Sequence, residues 1–280
     1  MKIGNLRGRA VLLVDGAAVD IERASEGRFS ADVDEVFRDW ERFRSWASGA
    51  VEGLASAAEP FVVSDLRAPV IVPRQIFAIG LNYAEHAAET KLVGDRELVV
   101  FTKFATSLVG PEAEVSLPAD TVDWEVEIAA VIGREAASVD PASAWQHVAG
   151  LAVSQDLSER AMQMTGVAPQ FSLAKSFPGF SPVGPWVVTV DEFEDPDGIA
   201  FGCSVNGETV QSGTTAELIF SIPEIIAELS AVVTLLPGDL IFTGTPSGVG
   251  MARTPPVYLK PGDELVSWAD GIGTIRTAFV

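Results

Sequence analysis

The chain has 280 residues, and its hydrophobic fraction of 48% is enough to build the core of one large domain or of two domains. Its 39 acidic and 19 basic residues give a formal net charge of -20, which repels phosphate backbones and anionic lipids and so argues against nucleic acid and membranes as partners. The single cysteine excludes an intrachain disulfide and a thiolate metal cluster, and the two histidines exclude a site with several imidazole ligands.

The N-terminal region predicts a small α+β domain over residues 1–70. Apolar alternation on both sides of Asp15-Gly16 predicts a hairpin, and the spacing of apolar residues from Asp32 to Ala55 predicts a helix. The proline-punctuated segment Ala68–Pro73 marks the boundary with a second domain, residues 71–280. The sequence has no run of about 18 apolar residues and begins without the apolar segment of a signal peptide, so we expect a soluble, cytoplasmic protein.

A histidine and a glutamate follow the next predicted strand, Gln75–Gly80. Asn82, with Glu85 three residues later, predicts the start of a helix. His86 and Glu89 are three residues apart on that helix and so lie on one face. Two interpretations stay open: an ordinary exposed pair, or an imidazole that a carboxylate orients and makes more basic, as a general base requires.

The stretch Val122–Gly133 predicts one continuous strand with Glu125 and Glu127 on the same face. That face continues with Ala129 and Val131, which predicts burial on both sides of the strand. Two buried carboxylates one pleat apart repel each other unless a cation lies between them, so we expect a hard-cation site with oxygen ligands. The alternative from this stretch alone is an edge strand that exposes its acids to water.

Further polar residues follow in the remaining chain. The buried strand predicted at Val148–Asp156 ends in a carboxylate that either caps the next turn or completes a divalent-cation site. Lys175 is a lone cation among apolar residues, and it either extends to water or faces charge that develops in a reaction.

The Asn-Gly pair at 206–207 predicts a hairpin. The loop Thr243–Gly250 has glycines and hydroxyls but lacks the lysine of a P-loop, which favours carboxylate recognition over nucleotide binding.

Taken in order, six motifs resemble those of the fumarylacetoacetate hydrolase family. They span residues 75–275 and are Gly80-Leu81-Asn82-Tyr83 through His86 and Glu89, Asp123-Trp124-Glu125-Val126-Glu127, Asp156, Lys175-Ser176-Phe177, Asn206-Gly207-Glu208, and Leu236-Pro237-Gly238-Asp239 through Thr243–Gly250. The resemblance implies a β-rich α+β fold, with a catalytic domain built on a rolled, mixed β-sheet or barrel, and a homodimer.

The same resemblance implies roles for individual residues. The metal, Mg²⁺ with Mn²⁺ or Ca²⁺ as substitutes, would be held by Glu125, Glu127 and Asp156. The catalytic residues would be His86 and Glu89, on a helix that acts as a lid, together with Lys175. The substrate contacts would be Tyr83, Gln163 and Thr245. Two departures affect the distal end of the substrate: Leu81 stands where the family often has arginine, and Phe171 stands near a frequent tryptophan.

The reaction that the resemblance implies is hydrolysis of a carbon-carbon bond in a 1,3-diketo acid, such as an acylpyruvate, a fumarylpyruvate or a diketo-deoxy sugar acid. The metal would act as a Lewis acid on the keto acid and stabilise the enolate that remains. Oxaloacetate decarboxylation and hydroxymuconate-type isomerisation are alternatives on the same site, but the presence of both His86 and Glu89 favours hydrolysis. A non-catalytic binding protein is the alternative from a different class, and the acidic trio argues against it.

Overall fold

The computed structural model describes residues 1–54, 57–90, 97–167 and 169–280. Across these ranges, strands are the main regular structure. The strands are β1 (Lys2–Leu6), β2 (Arg9–Val14), β3 (Ala17–Asp20), β4 (Leu66–Arg67), β5 (Ile76–Gly80), β6 (Val99–Thr102), β7 (Leu108–Val109), β8 (Glu112–Val115), β9 (Val122–Asp123), β10 (Val126–Ile132), β11 (Val148–Gln155), β12 (Ser158–Glu159), β13 (Ser181–Val188), β14 (Ala200–Val205), β15 (Glu208–Thr214), β16 (Leu240–Phe242), β17 (Glu264–Ala269) and β18 (Gly273–Phe279). The helices are α1 (Ile21–Ala24), α2 (Val33–Arg38), α3 (Trp40–Leu54), α4 (Ala84–Thr90), α5 (Arg160–Gln163), α6 (Phe171–Ala174) and α7 (Ile222–Ser230).

Most of the strands form one mixed, 11-stranded sheet. Its main path runs in the order β3-β2-β1-β13-β11-β10-β16-β5-β6, with β4 paired to β1 and β7 paired to β13. A 5-stranded sheet has the order β15-β14-β17-β18-β8, and β12 pairs with β9. The predicted strand-rich α+β class is therefore confirmed, and the sheets are open.

The N-terminal strands extend the large sheet. β1 pairs with β13, so that Lys2 lies opposite Val188. The helix predicted from Asp32 to Ala55 is divided into α2 and α3, and Ala55 lies outside the described residues. The domain boundary near residue 70, the homodimer and the cytoplasmic location stay predictions. Within the described ranges, no helix is long and apolar enough to cross a membrane.

The strand that carries Glu127, β10, is buried on both faces, as its sequence predicts. On one face of β10, Val126 and Ile128 pack in a hydrophobic cluster that reaches the 5-stranded sheet. On the other face, Val131 packs in a second cluster with Trp40 and Phe43 of α3. A carboxylate in this strand therefore lies within the core and is largely shielded from water.

The prediction of one continuous strand is wrong at Trp124 and Glu125, where the chain leaves the ladder between β9 and β10. A side chain replaces a strand partner there, since the Glu125 N–H donates to Gln155 Oε1 at 2.9 Å. The Asp156 N–H donates to the Glu125 carbonyl, also at 2.9 Å. The interruption therefore brings Glu125 beside the end of β11.

Candidate active site

Three buried carboxylates from neighbouring strands meet at this interruption. Glu125 lies between β9 and β10, Glu127 lies in β10, and Asp156 directly follows β11. One oxygen of each lies within 4.8 Å of the other two. β10 and β11 are antiparallel, with Val126 opposite Gln155, so the start of one strand meets the end of the other. The structure thus brings the three sequence-predicted metal ligands together.

Two buried cations contact this carboxylate cluster. Lys175 Nζ lies 2.6 Å from Glu125 Oε2 and 2.7 Å from Asp156 Oδ2. Arg160 Nη1 lies 2.7 Å from Glu125 Oε1, and its Nε donates to Asp123 Oδ2 at 2.9 Å. Burial opposes ionisation of Glu125, but attraction from Lys175 and Arg160 outweighs it and lowers the pKa of Glu125 to about 2. Glu125 is therefore an anion at neutral pH.

A third cation, Lys103, binds the other oxygen of Asp156. The Lys103 ammonium is fully buried; it contacts Asp156 Oδ1 and the Lys175 carbonyl, and it donates to the Phe180 carbonyl at 3.2 Å. Burial lowers the pKa of Lys103, although attraction to Asp156 opposes this shift. Lys103 thereby connects Asp156 to the segment that carries Lys175.

Glu127 is held in a less favourable electrostatic environment than Glu125. Burial raises the pKa of Glu127 well above its usual value, and repulsion from Asp156 and Glu125 raises it further. Its Oε2 accepts a hydrogen bond from the Gly244 N–H at 2.8 Å. A divalent cation among the three carboxylates would remove this repulsion, and a set of oxygen donors matches Mg²⁺, Mn²⁺ or Ca²⁺. The residues present therefore fit such an ion.

His86 lines the same cavity as Glu125 and Glu127. Its Nδ1 lies 2.8 Å from Glu89 Oε1, so the two residues form the pair that their spacing predicts. With Nδ1–H donating to the carboxylate, the lone pair of the neutral imidazole lies on Nε2. His86 is only 5% exposed, which does not agree with the alternative of an ordinary exposed pair.

Helix α4, which carries this pair, is hydrogen-bonded to the glycine-rich loop Thr243–Gly250. The Gly248 N–H lies 3.0 Å and 3.2 Å from the two carboxylate oxygens of Glu89. The Asn82 side chain, predicted to cap the helix, donates instead to the carbonyls of Thr243 and Phe220 at 2.8 Å and 3.0 Å. The loop therefore positions Glu89, and through it the His86 ring.

Two of the three predicted substrate contacts line the cavity. Gln163 does so beside Arg160, whose Nη1 donates to Gln163 Oε1 at 3.0 Å. Thr245 also lines it, but its hydroxyl is used within the fold: it donates to the Val126 carbonyl at 2.9 Å and accepts from Gln211 Nε2 at 2.8 Å. The side chain of Thr245 thus holds the loop against β10.

Tyr83, the third predicted substrate contact, lies in the hydrophobic core. Its ring packs against Phe201 with centroids 6.3 Å apart, and its hydroxyl donates to the Thr214 carbonyl at 3.2 Å. Burial, followed by repulsion from Glu127, raises the pKa of Tyr83. The structure places this residue behind the site, and its role as a substrate contact stays a prediction.

Lys103 and Arg160 were not predicted as residues of the site. Lys103 stands between Thr102 and Phe104 in an apolar segment, which is the same signal that identified Lys175. Arg160 follows Asp156 by four positions and has Glu159 beside it, so its charge resembles that of an ordinary surface residue. Their burial against carboxylates is visible only in the folded chain.

Comparisons with known proteins agree with this arrangement. Residues 75–280 match the family model "Fumarylacetoacetate (FAA) hydrolase C-terminal". The chain is 45% identical over 210 residues to the human protein "Oxaloacetate tautomerase FAHD2A, mitochondrial", across 74% of this chain and 67% of that protein.

Crystal structures of similar proteins match the chain over its whole length. A candidate HpcE protein from Mycobacterium smegmatis is 48% identical, with a TM-score of 0.94, over 100% of this chain and 99% of that one. Maleylpyruvate hydrolase from Sphingobium sp. SYK-6, in complex with a manganese(II) ion and pyruvate, is 29% identical, with a TM-score of 0.82 and the same coverage. Because the family model covers most of the chain and these relatives share its fold, the chain belongs to the fumarylacetoacetate hydrolase family of enzymes.

Proposed function

We propose that the chain is a divalent-metal-dependent hydrolase that cleaves a carbon-carbon bond in a 1,3-diketo acid of the acylpyruvate type. The observation that carries this proposal is a single cavity that joins His86, paired with Glu89, to the carboxylate cluster of Glu125, Glu127 and Asp156. The cluster supplies a place for a hard cation, and the pair supplies a base. The proposed hydrolysis uses both, the base to activate water and the cation to stabilise negative charge.

We assign the metal to Glu125, Glu127 and Asp156, with Mg²⁺ as the ion and Mn²⁺ or Ca²⁺ as substitutes. A bound divalent ion would act as a Lewis acid that polarises the oxygens of the keto acid. Manganese and pyruvate in the similar maleylpyruvate hydrolase support this assignment. Gln163, beside Arg160 in the cavity lining, would donate its amide N–H groups to the substrate.

His86 would act as the general base. It takes a proton from a water molecule whose oxygen attacks the distal carbonyl carbon, while Glu89 stabilises the imidazolium that forms. The bond from that carbon to the methylene carbon would then break, which yields a carboxylic acid and the enolate of pyruvate. The enolate would take up at its methylene carbon the proton that His86 removed from water, which returns His86 to its neutral form. Lys175, buried 2.6 Å from Glu125, contributes positive charge where negative charge develops.

A second candidate, oxaloacetate tautomerisation, is favoured by the 45% identity to the human tautomerase. In that reaction His86 would remove a proton from C3 of oxaloacetate, and the 2-oxo oxygen would take up a proton to give the enol. The base and the carboxylate cluster would be the same, but no bond between carbon atoms would break.

A metal-supplemented activity panel tests the two candidates. It compares acylpyruvates, diketo-deoxy sugar acids and oxaloacetate, with cleavage products measured separately from enol formation. The His86→Ala variant should lose roughly 100-fold to 10,000-fold in turnover, which is the usual contribution of a general base. His147→Ala is the matched control, because His147 Nδ1 bonds to the Glu135 carbonyl at 2.8 Å, away from the cavity. Enol formation without cleavage of any diketo acid would reject hydrolysis in favour of tautomerisation.

A further inference from the structure

Apolar side chains make up half of the described lining of the active-site cavity outside the carboxylate cluster. Its apolar members are Ile79, Leu81, Phe101, Met164, Phe171 and Met251. The lysine and the arginine of the described lining are both engaged with carboxylates: Lys175 with Glu125 and Asp156, and Arg160 with Glu125. This lining therefore offers an apolar surface to the part of a substrate that extends beyond the cluster.

The apolar surface begins next to the charged cluster. Lys175 Nζ lies 5.1 Å from the centroid of the Phe101 ring. That ring in turn meets the edge of Phe171, with centroids 5.4 Å apart and an interplanar angle of 74°. A ligand whose carboxylate end lies at the cluster would thus have aromatic carbon within reach of its other end.

Leu81 lines the cavity and has a backbone conformation that is strained for a leucine. Its φ is 56°, in the left-handed region that glycine adopts freely and that a side chain with a β-carbon disfavours. Leu81 is only partly buried and lines the cavity, so core packing offsets little of this strain. Strained residues of this kind cluster at binding and catalytic sites. The leucine side chain is therefore better explained by contact with a ligand than by stability.

We propose that the cavity selects diketo acids whose distal group is apolar and uncharged, and that Leu81 determines this preference. This inference rests on the proposed function and specifies its substrate class. An alkyl or aryl group would remove apolar surface from water on both sides. A distal carboxylate at the same place would lose its hydration, and the lysine and arginine of the described lining are already paired with carboxylates.

Binding of two stable probes tests the preference independently of turnover. N-butyl oxamate and N-(3-carboxypropyl) oxamate share a carboxylate and an adjacent carbonyl and are not cleaved. They differ only at the distal end, which is a methyl group in the first and a carboxylate in the second. Isothermal titration calorimetry with the Mn²⁺-loaded protein should show tighter binding of the butyl probe by at least about tenfold, the scale of one well-placed apolar contact. Equal binding, tighter binding of the carboxypropyl probe, or no binding of the butyl probe would overturn the inference.

The Leu81→Gly variant tests the role of this residue. It should lose most of the difference between the two probes without loss of thermal stability, because glycine relieves the backbone strain. Ser138→Gly is the matched control: Ser138 has φ of 51°, is exposed and lies outside the cavity, so the same relief there should leave both affinities unchanged. An equal loss for both probes in Leu81→Gly would mean a general structural role and would overturn the assignment.

The two proposals fail in different ways. Preferential binding of the butyl probe without cleavage of any acylpyruvate would reject hydrolysis and leave the distal preference standing. Cleavage of acylpyruvates with no preference between the probes would reject the distal preference and leave hydrolysis standing.

Discussion

The Glu127→Gln substitution separates the electrostatic role of the carboxylate cluster from its structural role. Glutamine keeps an oxygen that can accept the 2.8 Å hydrogen bond from the Gly244 N–H, but it removes the charge that Asp156 and Glu125 repel. The metal-free variant should therefore be as stable as the wild type or more stable by about 1–2 kcal/mol, since removal of a poorly compensated buried charge is neutral or favourable. Its affinity for a divalent ion should fall.

The stabilisation that the metal provides can be calculated, because an ion that binds only the folded protein raises its unfolding free energy. At a metal concentration about 100 times Kd, binding adds about 2.7 kcal/mol to the unfolding free energy of the wild type. In a chain of this size that corresponds to a rise in Tm of roughly 5–10 °C. If loss of the Glu127 charge weakens binding on the order of 100-fold, the same metal concentration adds only about 0.4 kcal/mol to the variant, or about 1 °C.

Thermal unfolding with and without Mg²⁺ or Mn²⁺ measures this difference directly. Glu112→Gln is the matched control, because Glu112 is an exposed carboxylate at the start of β8 and its loss should leave the metal-induced shift unchanged. A Glu127→Gln variant with the full wild-type shift would show that Glu127 is not a ligand. A variant that is less stable than the wild type without metal would refute the argument from repulsion.

Two further substitutions test how the site is supported. Lys103→Met should destabilise the fold by about 3–5 kcal/mol in urea unfolding, because it leaves Asp156 without one of its buried partners. Lys260→Met, at an exposed position, is the control and should change the unfolding free energy little. A loss under about 1 kcal/mol for Lys103→Met would contradict the prediction. Gly150→Ala should cost about 2–3 kcal/mol, since its β-carbon would lie 2.3 Å from a carbonyl oxygen of β13. Gly49→Ala is the control, because a β-carbon there meets nothing within 4 Å, and it should be neutral or stabilising in the same unfolding assay. Equal losses of unfolding free energy for the two variants would contradict the prediction.

Local patterns in the sequence correctly predicted the features that depend only on residues close together in the chain. The Asn-Gly pair forms the predicted hairpin between β14 and β15, with φ of 50° at Asn206 and 84° at Gly207. The predicted two-sided burial of β10 is confirmed. Successive side chains of a strand point to opposite faces, so apolar residues on both alternating sets already indicate two buried faces. His86 and Glu89 meet for the same kind of reason, since residues three apart on a helix share a face.

The charges that surround the carboxylates could not be predicted from local sequence patterns. Lys103 lies 53 positions from Asp156 and Lys175 lies 50 positions from Glu125, and these separations leave no periodic signal in the chain. The family, the strand-rich class and the pair of acids two residues apart follow from the amino-acid sequence alone. The break at Glu125 and the buried cations depend on hydrogen bonds and ion pairs between distant segments, which exist only once β10 and β11 have paired.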